Sequence, residues 1–563
     1  MRHQGPIAGI AAHGDWIATA GYDNRVILWR ASTREAVGRG LHDHLVNHCS
    51  FNRDGSLLVT ASSDYSARIW DVPGMRLRAV LAGHGDDVDM AAFSPDGRRV
   101  ATCALDRLVR VFDLEGRCLH AMPGHSGNIL SVTWSPDGRR LISSSVDGTV
   151  REWDAAEGCA LAVYDIDGVR TDSLVVLSDG RIVAGDDDGR IVIVRDGAIR
   201  YHPAHRAGIK KVVFDDATGL LVTLSYDRSI ALWQGLRQSA GMPRELARSE
   251  LPVTVWARAA TALGDGRIAV GTFGATYGVF DPRDGSWDMD GVAAGPALNA
   301  VAMRNDVVYA IGDAGVLYEN GRPRAQMGSL CNFLQFVGQH LYTGGQLGII
   351  FDAHTGHALH QHSSPLNCAT AFERDGVPML AVGSYTGEVL LFEVGAAGEL
   401  HPLRQDLRVD DSAIKGLSAA QGRLFVVCAS TLVAWYDLRD WSELRRIPKA
   451  HTRIANACCP IADGGFASVG RDRVLRLWLD DEEASYPSPH PNSVKCLVAS
   501  ADGRMLMSGS YGGTVAAFDL HHRRWLPMRR PTSAGISALA YRAAQQRFIA
   551  SSYDGELYEL SHA

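Results

Sequence analysis

Lysine is nearly missing from this chain. Of 56 basic residues, five are lysines: Lys210, Lys211, Lys415, Lys449 and Lys495. Against 63 acidic residues the formal net charge is -7 over 563 residues. That balance excludes a surface-wide basic footprint for nucleic acid. No run of 18 apolar residues occurs, so no membrane-spanning helix is expected. The opening MRHQGPIAGIAAHGDW has no apolar core of secretory length before Asp15, so no signal peptide is expected. The ten cysteines form no Cys-x-x-Cys pair, and Cys103, Cys368 and Cys496 fall on expected strands. Buried free thiols in a reducing cytoplasm are the expectation.

What the chain does have is a beat. An Asp stands six residues before an aromatic at Asp64 and Trp70, Asp106 and Phe112, and Asp147 and Trp153. The three Asp residues lie 42 and 41 apart. The Asp end continues at Asp23, Asp188, Asp227, Asp472 and Asp554. The aromatic end continues at Trp29, Trp233, Phe280, Phe351, Phe392, Trp435, Trp478 and Phe518. Between beats, apolar alternation marks short strands, and turns such as NRDG at 52–55 and SPDG at 94–97 and 135–138 separate them. A period near 40 built of short strands means radially repeated sheets.

Fourteen repeats are expected. Their first strands start near Ile7, Leu45, Val88, Ile129, Asp172, Ile209, Val253, Leu298, Cys331, Leu366, Ile414, Ile454, Val494 and Ile536. Repeats eight to eleven are the most degenerate.

With Gly83-His84, Gly124-His125, the SPDG turns, Trp70-Asp71 and Trp153-Asp154, the chain resembles the WD40-repeat family. The resemblance is strongest over 15–155 and diffuse between 240 and 450. It implies an all-β fold of fourteen four-stranded blades, arranged as two seven-bladed β-propellers at 1–290 and 291–563. A single larger ring is the alternative. The break is expected within 287–296. Closure is expected through borrowed outer strands, residues 2–6 for one ring and 286–292 for the other, or the reverse pairing. Trimming the C-terminal tail is then expected to cost stability. The arginine-for-lysine bias adds the expectation of a bacterial source.

The resemblance also implies that the repeated polar residues are structural. In such blades the Asp bonds a His from the incoming loop, with a Ser or Thr and the Trp completing a network. Asp64, Trp70, His84, Asp106, His125, Asp147, Trp153, Asp227, Trp233, Asp472 and Trp478 fit these roles. His42 or His44 serves the second repeat, and His205, His451 and His490 serve later ones. A buried carboxylate needs partners, so such a network fixes blade geometry.

Against this background no catalytic, metal or cofactor set stands out. His354, His357, His360 and His362 have no nearby Cys, Asp or Glu to complete a zinc set. His48 and Cys49 are adjacent on a strand and point to opposite faces. Cys458-Cys459 reads as core. Asp186, Asp187 and Asp188 read as a solvated turn without EF-hand spacing. The glycines at 509–513 lack the Gly-Lys-Ser/Thr of a phosphate loop.

The irregular insertions at 234–252, 393–412 and 479–491 are the candidate partner loops. The first carries Arg237, Arg244 and Arg248, with a short helix expected over RELARSEL. The third carries Asp480, Asp481, Glu482 and Glu483. Arg523, Arg524, Trp525, Arg529 and Arg530 form a basic patch suited to an acidic protein loop. The function expected is a non-catalytic scaffold for partner proteins. The alternative is a hydrolase or lyase with its site in a channel, or in a cleft between rings.

Overall fold

A computed structural model describes residues 1–3, 5–237, 241–292, 297–403, 406–462, 464–479 and 482–561. Among the described residues there is one 3-10 turn, Ala543–Gln545, and no α-helix. The strands form fourteen antiparallel sheets. Twelve have four strands, the tenth has five and the fourteenth has three. Each sheet is cut from one continuous stretch of chain, with its strands in sequence order. All fourteen first strands begin within two residues of the expected starts, from Ile7–His13 to Ile536–Arg542.

Burial follows strand position. Second strands such as Leu57–Ser62 and Ile268–Thr272 are buried throughout. Their apolar residues face neighbouring sheets on both sides, as parts of one layered core. Leu57, Val59 and Ile69 of the second sheet pack with Ala91, Phe93 and Val100 of the third. Fourth strands such as Arg76–Leu81 are mostly exposed. Fully burying each Val, Leu or Ile contributes about 1.5–3 kcal/mol, so these layers supply most of the driving force.

The chain divides into two compact units, Met1–Ala294 and Gly295–Ala563. Within the first unit, each of the seven first strands packs against the first strands of the sheets before and after it. Val255–Ala262, the seventh, returns to Ile7–His13. The second unit repeats this order, from Leu298–Arg304 round to Ile536–Arg542 and back.

One irregularity recurs. In thirteen sheets the first strand carries a register shift directly after its first paired residue. The residue left out of register is Ala8, Asn47, Asp89, Leu130, Asp172 or Lys210 in the first unit. In the second it is Asn299, Asn332, Asn367, Lys415, Asn456, Lys495 or Ser537. A bulge bends the strand and re-aims the extra side chain. The seventh sheet loses register over a longer stretch, from Val255 to Ala260.

Several expectations need correction. The segment expected as a helix is the strand Arg244–Glu250, paired along its length with Ser229–Gln234. Leu246 stays 52% exposed, so no apolar partner rewards a helix, while the neighbouring sheet edge satisfies the backbone. The third insertion likewise contains an outer strand, Glu483–Pro487. Ser286–Asp288 pairs with Gly278–Asp281 inside the seventh sheet and supplies nothing to the fourteenth. Residues 2–6 form no strand among the described residues, and the first sheet has four strands of its own. Residues 238–240, 293–296, Asp480 and Asp481 lie outside the described residues.

Candidate functional site

The repeated Asp does two jobs in one turn. One carboxylate oxygen accepts the backbone N–H two residues on, closing an Asx turn: Ser66 N to Asp64 at 3.0 Å, and Thr149 N to Asp147 at 3.0 Å. The other accepts from the incoming loop. His42 Nδ1 lies 2.8 Å from Asp64 and His125 Nδ1 2.9 Å from Asp147, with the next backbone N–H on the same oxygen. A carboxylate only accepts, so each Nδ1 donates. Each Nε2 then accepts from a buried hydroxyl: Thr60 at 2.7 Å and Ser143 at 2.8 Å. The indoles of Trp70 and Trp153 donate to those same hydroxyls, both at 2.9 Å.

His205, Asp227, Thr223 and Trp233 repeat this set, as do His451, Asp472, Ser468 and Trp478. His84, Asp106 and Thr102 do so with Phe112 in place of an indole. The sequence reading missed His3, which completes the set with Asp23, Thr19 and Trp29. Its spacing of 20 to the Asp, where the others have 21 or 22, hid it. Burial alone would raise the carboxyl pKa of Asp64, Asp106, Asp147, Asp227 and Asp472. Hydrogen bonds from histidine and backbone outweigh it and hold all five below the usual range.

Other sheets substitute. In the fifth, Asp186 is fully buried and paired with Arg190 Nε at 2.7 Å, so it is not a solvated turn residue, while Asp188 stays exposed. The thirteenth has no Asp: His490 bonds Thr514 at 2.7 Å and Ser508 at 2.9 Å, and burial pushes its pKa down to about 4.

The first unit holds a cavity of about 80 Å³ lined by residues from all seven of its sheets. All six of its bulge residues, Ala8, Asn47, Asp89, Leu130, Asp172 and Lys210, are in the lining. Beside them stand His48, Lys211, Tyr22 and, from the irregular seventh strand, Arg258. Lys210 Nζ lies 2.7 Å from Asp172 and also bonds Asp187, and Arg170 Nε donates to Asp172 at 2.9 Å. Burial would raise the Asp172 carboxyl, but Arg170, Lys210 and Arg258 hold it low. Burial pushes the Asp89 carboxyl up to about 6 and the His48 imidazole down to about 3, and lowers Lys211.

The second unit fills the same bulge positions differently. Asn299, Asn332, Asn367 and Asn456 each donate a side-chain N–H to a carbonyl of the next first strand, at 2.7–3.1 Å. A polar residue directly after the first apolar one, as in LNAV, CNFL and IKGL, is the sequence signal for this layer.

The remaining candidates resolve into packing. Cys49 packs in the core, where burial pushes its thiol up to about 12, while His48 faces the cavity. His360 packs edge-to-face with Phe392 and His354 edge-to-face with Tyr309. Among the described residues no group of His, Cys, Asp or Glu is arranged to hold a metal. Arg237 donates to the carbonyls of Asp216 and Ala217 at 2.7 and 2.6 Å. Arg248 donates to Glu245, to the Ser229 hydroxyl and to the Ala204 carbonyl. Arg523 forms a two-pronged pair with Glu482 at 2.5 and 2.8 Å. Arg529 bonds Ser561, and Trp525 packs on Phe518. These five are occupied within the chain; Arg244, Arg524 and Arg530 are exposed.

All ten cysteines are free, and Cys118 and Cys159 are the exposed ones. A thiol reagent is expected to label those two rapidly in the native protein and all ten after denaturation. A third fast-reacting thiol would contradict the burial described.

A family model for the WD domain, G-beta repeat (WD40), matches residues 2–30, 38–71, 75–113, 116–154 and 484–519. The sixth and twelfth sheets hold the same network outside those segments. Human WD repeat-containing protein 36 is 28% identical over 119 residues, 21% of this chain and 13% of that protein. The ribosome biogenesis protein WDR12 homolog of Drosophila persimilis is 28% identical over 122 residues, 20% of this chain and 29% of that protein. Human coronin-7 is 35% identical over 108 residues, 17% of this chain and 11% of that protein. The chain thus spans less than a third of the length of each relative.

Proposed function

We propose that this chain, which carries WD40 repeats, is a non-catalytic scaffold assembling partner proteins on two seven-bladed β-propellers. The observation that carries the reading is the use of the conspicuous Asp, His and Trp side chains. They bond one another inside their own sheets, which leaves them as architecture and not chemistry. Two closed cycles of seven sheets support the propeller arrangement. The similarity to a ribosome biogenesis protein supports a role in assembling other proteins. Exposed Arg244, Arg524 and Arg530 are the contacts assigned to an acidic partner surface. Ten unpaired cysteines support a reducing cytoplasm, and the scarcity of lysine a bacterial source.

Affinity purification of the full chain from its host, read by mass spectrometry, is expected to return one or more proteins in stoichiometric amounts. Replacing Arg524 and Arg530 with glutamate is expected to weaken that capture. A chain that never retains a protein would sink the scaffold.

A second reading, an enzyme of the hydrolase or lyase type, draws on the cavity of the first unit. Its titratable groups are displaced from their ordinary values, as active-site groups are. It lacks a nucleophile–base pair: the His48 Nδ1 has no partner, and Cys49 faces away.

A further inference from the structure

We propose that the cavity of the first unit binds a small oxyanion, a phosphate or a carboxylate, held by Arg258 and Lys211. Lys210 is occupied by Asp172 and Asp187, and Arg170 shares both carboxylates. Among the described residues no carboxylate pairs with Lys211 or Arg258 at salt-bridge distance, although Asp172 and Asp89 attract Arg258 from farther away. Lys211 and Arg258 thus line the cavity with no carboxylate in direct contact, and a bound anion would give both a direct partner. A buried charge without a partner costs stability, and a bound anion removes that cost. The buried Nδ1 of His48, also without a partner, adds a polar atom for the ligand to meet.

The second unit fills the equivalent positions with four asparagines, Ser537 and the lysines Lys415 and Lys495, with no aspartate among them. Only the seventh sheet's long irregular stretch brings an arginine to the first unit's cavity. The space has room for several waters, which suits a compact tetrahedral or planar oxyanion. This inference stands apart from the scaffold reading: a chain that captures no protein can still bind the anion.

The test is calorimetric titration of the full chain with inorganic phosphate and, separately, with acetate. Saturable binding of one anion per chain is expected, and the stronger probe identifies the class. Lys211→Met and Arg258→Met should each weaken it about tenfold or more. Lys449→Met, at an exposed site, should leave it unchanged. Thermal melting separates binding from folding. Without anion, Lys211→Met should melt no lower than the parent, because burial opposes the Lys211 charge and no carboxylate offsets it, whereas Arg258→Met also gives up the attraction of Asp172 and Asp89. Phosphate or acetate should raise the melting temperature of the parent alone. If Arg258→Met does not fold, Arg258→Lys keeps the charge and should retain part of the binding. No saturable binding of either probe at about millimolar concentration overturns the site. So does binding that both variants leave intact, or a loss of stability in Lys211→Met without anion.

Discussion

Lys210→Met is expected to destabilise the first unit by about 3–5 kcal/mol, the cost of stripping one partner from a buried ion cluster. Lys210 is 7% exposed, and its ammonium is shared by Asp172 and Asp187. Arg170 remains in the variant, yet it touches Asp187 only at 3.7 Å. Asp187 is then the carboxylate left exposed to the full cost. Adding Asp187→Asn should recover much of the loss, because it removes the stranded charge along with its former partner. Urea unfolding of the two variants measures both effects. A loss below about 1 kcal/mol for Lys210→Met would mean that water already screens the cluster.

The same cluster sets a pH window. Burial opposes the Lys210 charge, but Asp172 and Asp187 outweigh it and raise its pKa. Its contribution is therefore present below the unfolded lysine pKa and lost as pH rises through the folded one. The Asp172 pKa is depressed, so its contribution is present above the unfolded value and lost as pH falls through the folded one. The first unit should hold this stabilisation across neutral pH and lose it towards both extremes.

His125→Ala is the second large effect, at about 2–4 kcal/mol. It opens a cavity and takes a donor from Asp147 and an acceptor from the Ser143 hydroxyl at once. Asp147 keeps the N–H groups of Ser126 and Thr149 and the Thr149 hydroxyl, which limits the damage. Trp153→Phe should cost less, since the third sheet holds its network with Phe112 at that place. The acid limb gives an independent reading. Asp147 is held below the usual range when folded, so the parent loses this stabilisation as pH falls below about 4. The variant should show a shallower acid slope. An unchanged slope would mean that the histidine contributes nothing to holding the charge.

Much of this was legible because repetition averages out local noise. The sheet starts were readable since each combines an apolar first strand with a turn signal and a beat residue. The network was readable in Asp64, Asp147 and Asp227, where the Asp, the aromatic and a preceding His all keep their spacing. It was unreadable at Asp186, where an arginine four residues on replaces the histidine and no spacing rule announces the substitution. The strand at 244–250 misled because its residues suit a helix by local preference. An open sheet edge overrode that preference by pairing the segment with Ser229–Gln234 along its length. The cavity escaped notice for a different reason. Its charges lie about 40 residues apart on successive sheets, and only closure of the ring brings them together.

Among the described residues every sheet comes from one unbroken stretch of chain and no strand is lent across the closing seam, which has a topological consequence. The seam between the seventh and first sheets is built of the same side-chain packing as any other junction, plus a bond from the His3 N–H to the Ala275 carbonyl. Nothing in the ring distinguishes its first sheet from its fourth except where the polypeptide happens to enter. A circular permutant, opened in a loop between two sheets and rejoined across that seam, would carry the same hydrogen bonds in the same order. The cycle of sheets fixes which residues meet, and the point of entry is free to move around it.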